Sequence, residues 1–131
     1  MIVCAVILRN KQVLLVRHSD KEKPDFGDWL LPAGSVEAGE NLEEALRREI
    51  TEELSLGIRI VRKLVEHVDP YTNDKLANFL CIAIKAEFKV SSELVDAKWF
   101  SLKEIRKIQN IHPGLKRFLT SGLESDWTNL V

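Results

Sequence analysis

Between Glu37 and Glu53 the chain carries seven glutamates and two arginines, although its formal net charge is only -1. The run Arg48-Glu49-Ile50-Thr51-Glu52-Glu53 holds the residues whose types and spacing could do chemistry. On a helix turning about 100° per residue, Glu49, Glu52 and Glu53 occupy an arc of about 100°. Glu53 falls inside the stripe of Leu42, Leu46, Ile50 and Leu54 that should face a core, and Glu52 falls beside Ala45. Carboxylates in such positions repel one another and resist ionisation unless a cation sits among them. A divalent metal is the simplest cation that fits. Oxygen-only ligands favour Mg²⁺ or Mn²⁺, and Mg²⁺ commonly shares its shell with substrate phosphates. The chemistry indicated is that of a phosphate ester or phosphoanhydride. A solvated or salt-bridged helix face is the alternative that spacing alone leaves open.

Such a cluster needs elements to position it. Asn41 and Glu44 form a capping-box pattern, Leu42 to Leu54 lacks Gly and Pro, and Gly57 can supply the terminating turn. Upstream, VCAVILRNKQVLLVR gives two β-branched, aliphatic runs around a polar turn, a hairpin pattern. Ser19 to Asp28 is a loop, and Trp29-Leu30-Leu31 a short strand stopped by Pro32. Ile58 to Val68 and Leu76 to Val90 are expected as neighbouring antiparallel strands across the turn-forming residues 69 to 74. Asp96 to Phe100 can form a last strand. Ser101 and Glu104 then cap a helix carrying Leu102, Ile105 and Ile108, and Leu115 to Ser121 forms a short final helix after His112-Pro113-Gly114. This order predicts an α+β (mixed α/β) class.

With 131 residues, 45% of them hydrophobic, the chain is expected to be a single domain spanning residues 1–131. Nineteen Lys and Arg nearly cancel 20 Asp and Glu, so no long-range field points to a nucleic-acid or membrane partner. The apolar run IVCAVIL is too short to span a bilayer and lacks the flanks of a targeting signal, which predicts a cytoplasmic protein. Cys4 and Cys81 lie in apolar runs and are expected as buried, reduced thiols. His18, His67 and His112 have no metal-ligand spacing, and Trp99 with Phe100 is expected in the core.

The segment GSVEAGENLEEALRREITEELSL closely resembles the Nudix box, G-x5-E-x7-R-E-U-x-E-E-x-G-U with U aliphatic. Gly34, Glu40, Arg48, Glu49, Ile50, Glu52, Glu53 and Leu56 fit in register. Ser55 replaces the late glycine of the pattern, which bears on how the helix ends and leaves the acidic positions intact. The resemblance implies a Nudix fold, an α/β/α sandwich with a mixed sheet and a loop-helix-loop box. It also implies hydrolysis of a nucleoside diphosphate linked to another moiety, with Mg²⁺ or Mn²⁺ as cofactor.

By the same resemblance, Glu49, Glu52 and Glu53 hold the metal with a backbone carbonyl of Ala33 or Gly34. Glu49 or Glu52 would be the general base, with Glu93 as a rival. Arg48 would orient a box glutamate and Glu40 would tie down the loop. Arg17, ending a strand that leads toward the substrate, is a candidate phosphate contact, and Trp29 a candidate base-stacking residue; a surface arginine and a core tryptophan are the competing readings. Asp96 is expected to be structural.

The substrate expected is a small-molecule nucleotide, foremost a nucleoside triphosphate as in MutT-type members, since the chain is near-minimal in length. Pro32-Ala33-Gly34 and Pro70 resemble ADP-ribose-type members, and Tyr71 lies near a position used by dinucleoside polyphosphate hydrolases. A nucleotide- or RNA-binding Nudix module without turnover is the alternative from another class. Family members are often homodimers.

Overall fold

The computed structural model describes residues 1–69, 72–123 and 126. Pro70 and Tyr71, which bear on the substrate, lie outside the described residues. The chain forms a six-stranded mixed sheet, β1 (Ile2–Arg9), β2 (Gln12–His18), β3 (Ala33–Ser35), β4 (Ile58–Val68), β5 (Lys75–Ala83) and β6 (Leu94–Ser101). Its order is β4-β5-β1-β2-β6, with β3 paired to β1. Among the named strands of the described residues β1 and β5 run parallel, and the other pairs are antiparallel.

Alternation along the strands builds a core on each face. Val3, Ala5 and Ile7 of β1 point to the face covered by α1 (Leu42–Leu54), where Leu46, Ile50 and Leu54 bury the stripe anticipated from the sequence. Cys4, Val6 and Leu8 point to the opposite face, covered by α2 (Leu102–Lys107) and by a π-helical turn, Phe118–Gly122, that follows α3 (Pro113–Arg117). Among the described residues no helix is long and apolar enough to cross a membrane. Cys4 and Cys81 are both buried and unpaired, and burial pushes each thiol up to about 12.

The hairpin turn is made by Asn10 and Lys11, both at positive φ, the conformation a two-residue hairpin loop requires. Three expectations are corrected. Trp29-Leu30-Leu31 is not a strand; Leu30 and Trp29 make single bridges to Val16 and Ile111. Pro32 has no N–H to donate, but its carbonyl accepts the Ala5 amide at 2.9 Å, and regular pairing on β1 starts only at Ala33. Second, β5 ends at Ala83 instead of Val90 because its partner β4 begins at Ile58, opposite Ala83. Third, the left-handed residue that ends α1 is Ser55, at φ 49 and ψ 42, instead of Gly57. A serine thus takes the position where the box pattern places glycine.

Beyond Ala83 the chain crosses the end of α1 as a strap. The Lys89 amide donates to the Leu54 carbonyl at 2.8 Å and the Ser91 amide to the Glu53 carbonyl at 2.9 Å, which satisfies carbonyls left over at a helix terminus. This strap delivers Glu93 next to α1.

The sheet is also split. β1 and β2 pair only at their hairpin end, Leu8 with Val13 and Arg9 with Gln12. Further along, residues 30 to 35 come between them, bonded to β2 through Leu30 and to β1 through Pro32 and β3. Groups from both faces of the sheet therefore reach one opening.

Candidate active site

Position of the acidic residues starts with the cap of α1. Asn41 accepts the Glu44 amide at 2.8 Å and Glu44 accepts the Asn41 amide at 3.4 Å, fixing where the helix begins. Just before it, Glu40 accepts the Glu37 amide at 2.8 Å. Arg48 then grips Glu40 with two parallel bonds, Nε to Oε2 at 2.7 Å and Nη2 to Oε1 at 2.9 Å, and donates to the Ser35 carbonyl at 3.0 Å. Its remaining nitrogen, Nη1, meets Glu49 at 2.9 Å and Glu52 at 3.3 Å. A planar fork can hold both loop and helix in this way where an ammonium could not. The partners stabilise the Arg48 charge, and Arg48 in turn draws Glu40 below the usual carboxylate range.

Glu53 has a different environment. It is 3% exposed, its Oε2 has no hydrogen-bond partner, and its carboxyl is pushed up to about 8 by burial first and then by Glu49 and Glu93. Burial also raises Glu49, against the pull of Arg48. Glu49 lies tight against Gly34, whose missing side chain makes the room for it. A buried carboxylate oxygen without a donor, with the Glu49 and Glu93 carboxylates acting on it, offers hard oxygens suited to a divalent cation. Among the described residues no three such side chains already converge on one point; Glu49 and Glu52 both pair with Arg48.

Glu49 and Glu53 line a cavity of about 1090 Å³ together with Ala33, Gly34 and Glu93. Asn78 and Leu76, on the far face of the sheet, line it as well. Among the described residues Lys23 is the only Lys or Arg in its wall, against seven carboxylates, Asp20, Asp25, Asp28, Glu49, Glu53, Asp69 and Glu93. Lys23 acts electrostatically on Glu53, and burial together with Lys23 holds His18 below its usual pKa.

The structure does not bring every expected residue to this cavity. Arg17 and Trp29 are absent from its wall. Arg17 lies opposite Asp96 in the β2–β6 register, pairs with it at 3.2 Å, and stacks over Trp29 at 4.7 Å. Trp29 is buried edge-on against Phe100 at 4.8 Å. Glu52, with its side chain 53% exposed, also lies outside the wall, on the Arg48 side. Lys23 was missed because a loop carries no periodic signal. Asn78 had one, a lone amide in the apolar run LANFLCIAI.

A family model described as NUDIX domain matches residues 1–121. The NAD-capped RNA hydrolase NudC of Haemophilus influenzae is 31% identical over 100 residues, 76% of this chain and 38% of that protein. The chain thus spans well under half the length of that relative. The nucleoside triphosphatase NudI of Escherichia coli is 30% identical over 122 residues, covering 79% of this chain and 83% of NudI. Among solved structures, a MutT protein from Methanosarcina mazei superposes with a TM-score of 0.80 at 25% identity, covering 95% of this chain and 93% of that one.

Proposed function

Because this chain belongs to the Nudix family, we propose that it hydrolyses a phosphoanhydride in a nucleoside diphosphate linked to another moiety, foremost a nucleoside triphosphate. The observation that carries this reading is the buried Glu53, with an oxygen lacking any donor, facing a nucleotide-sized cavity between Glu49 and Glu93. Similarity to the nucleoside triphosphatase NudI favours a triphosphate among the possible substrates. Similarity to NudC keeps an NAD-type dinucleotide, free or at an RNA end, as the second candidate.

Glu49, Glu52 and Glu53, with a backbone carbonyl of Ala33 or Gly34, would hold Mg²⁺ or Mn²⁺. Such an ion, when bound, supplies neutralisation of the diphosphate charge and activation of a water. Arg48 positions Glu49 and keeps the box loop closed on the helix. Lys23 offers the wall's positive charge to phosphate oxygens. The proton of the attacking water falls to a carboxylate in the cavity wall, Glu49 or Glu93, with Glu52 contributing through the ion-holding set.

The test incubates the protein and its Glu53→Gln variant with Mg²⁺ and nucleoside triphosphates, ADP-ribose, other nucleoside diphosphate sugars, dinucleoside polyphosphates and NAD, with products identified by chromatography. Triphosphate cleavage to monophosphate and pyrophosphate by the wild type alone is expected. Binding of these compounds without Glu53-dependent turnover would replace the hydrolase by a binding module.

A further inference from the structure

In the wall of the same cavity sits Asn78, 3% exposed on β5. Its Nδ2 lies 3.0 Å from the Val65 carbonyl and 3.1 Å from His67 Nδ1. A carbonyl only accepts, so the nitrogen must face Val65 and the orientation of the amide is fixed. The same nitrogen then donates to His67, which must accept at Nδ1 and carry its proton on Nε2. Both donors of the amide are therefore spent. Oδ1 accepts no hydrogen bond among the described residues, yet it is not sealed off from solvent. A buried amide held by two bonds presents one acceptor to the cavity and no donor.

Apolar residues dominate its surroundings, although Asp69, which acts electrostatically on the adjacent Cys4, lines the cavity as well. Ile2, Leu31, Leu76, Leu115 and Phe118 line the same cavity, and the His67 ring stands edge-on to Phe118 at 5.3 Å. The distance to the box follows from the sheet register. Asn78 and Ala33 both lie opposite Cys4, on its two sides, which places them two strand spacings apart, about 10 Å. That separation lets a nucleotide whose diphosphate lies at Ala33, Gly34 and Glu53 reach Asn78 with its base.

Resting on the nucleotide reading above, we propose that Asn78 Oδ1 receives the exocyclic amino group of the substrate's base. The cavity then selects amino bases, adenine and cytosine, over the corresponding keto bases, hypoxanthine and uracil. A keto oxygen at that position would meet another acceptor in an apolar wall, and both would lose their water partners without replacement.

The experiment compares kcat/KM for ATP against ITP and for CTP against UTP, pairs in which an amino group is replaced by a keto oxygen. The wild type is expected to favour the amino member by about tenfold or more, the scale of one buried hydrogen bond left unmade. Asn78→Leu, which keeps the branching and heavy-atom count of the side chain but has no acceptor, is expected to bring the ratios close to 1. Should that variant fail to fold, the wild-type pairs alone decide. Calorimetric binding of the same nucleotides with the Glu53→Gln variant reads the preference independently of turnover. Turnover with equal or inverted ratios would overturn this inference and leave the hydrolase standing. Amino-selective binding without wild-type turnover would overturn the hydrolase and leave the inference standing, whereas no binding of either member would overturn both.

Discussion

Gly34 and Glu49 share one space: a methyl group on the Gly34 Cα would overlap the Glu49 carboxylate. A helix side chain is thus held in place by what a strand residue lacks. The obstacle a side chain would meet is the movable end of Glu49 and not backbone, so Gly34→Ala is expected to fold. Glu49 must swing away, and a displacement of that size at a reacting centre costs on the order of 10²-fold in kcat. Steady-state kinetics beside a melting curve separate the two; unchanged kcat in the variant would show that the position of Glu49 does not matter.

Arg48 joins Ser35 of β3 and Glu40 of the loop to Glu49 and Glu52 of the helix. Arg48→Lys keeps the charge and loses the fork, so it cannot serve both sides. A loss of about tenfold or more in kcat and a drop of a few degrees in Tm are expected. A lysine variant with wild-type values for both would reduce Arg48 to a surface charge.

Glu53 makes the metal-free protein sensitive to pH. Its folded-state pKa of about 8 lies above the ordinary value of 4.5. Below the ordinary value the carboxyl is protonated in either state and costs nothing. As pH rises toward 8 the unfolded chain ionises freely while the folded chain keeps its proton, so stability falls, and the full penalty is reached above 8. In chelator, Glu53→Gln is expected to match the wild type near pH 4.5 and exceed it by about 1–3 kcal/mol at pH 9, the range for an unpaired buried polar group. Denaturant melts at the two pH values check this, and adding Mg²⁺ at pH 8 should raise the Tm of the wild type alone.

Lys23 is the cation of an otherwise acidic wall. Lys23→Ala is expected to raise KM by about three- to tenfold with a smaller change in kcat, and to flatten the dependence of KM on ionic strength. An unchanged salt response would place Lys23 outside the substrate's path.

Much of this architecture was legible in the sequence because its signals are local. The capping boxes at Asn41 and Ser101, the aliphatic stripe of α1 and the two runs of the hairpin depend on neighbours within a few residues. What was not legible depends on distant partners. Whether Ala33 or Trp29 pairs with β1 turns on which amides and carbonyls β1 leaves open, and the end of β5 is set by where β4 starts. In the site, Glu49 and Glu53 followed from helical spacing. Lys23 and Asn78 reach the cavity only through the loop path and the sheet pairing, which no spacing rule encodes. The pairing of Arg17 was hidden for the same reason, since its partner Asp96 lies 79 positions away.

The strap behind α1 also limits how this chain can be altered in length. Its two stitches, Lys89 to Leu54 and Ser91 to Glu53, fix the chain on either side of them unequally. From Ile84 to Phe88 the Ile84 amide bonds the Gly57 carbonyl and the Ala86 carbonyl accepts the Trp99 indole at 3.0 Å, so an inserted residue there would break ties that lie off the cavity wall. Between Ser91 and Leu94, where the Ser19 amide also bonds the Glu93 carbonyl at 3.1 Å, one inserted residue would turn the Glu93 side chain out of the cavity while leaving every strand intact.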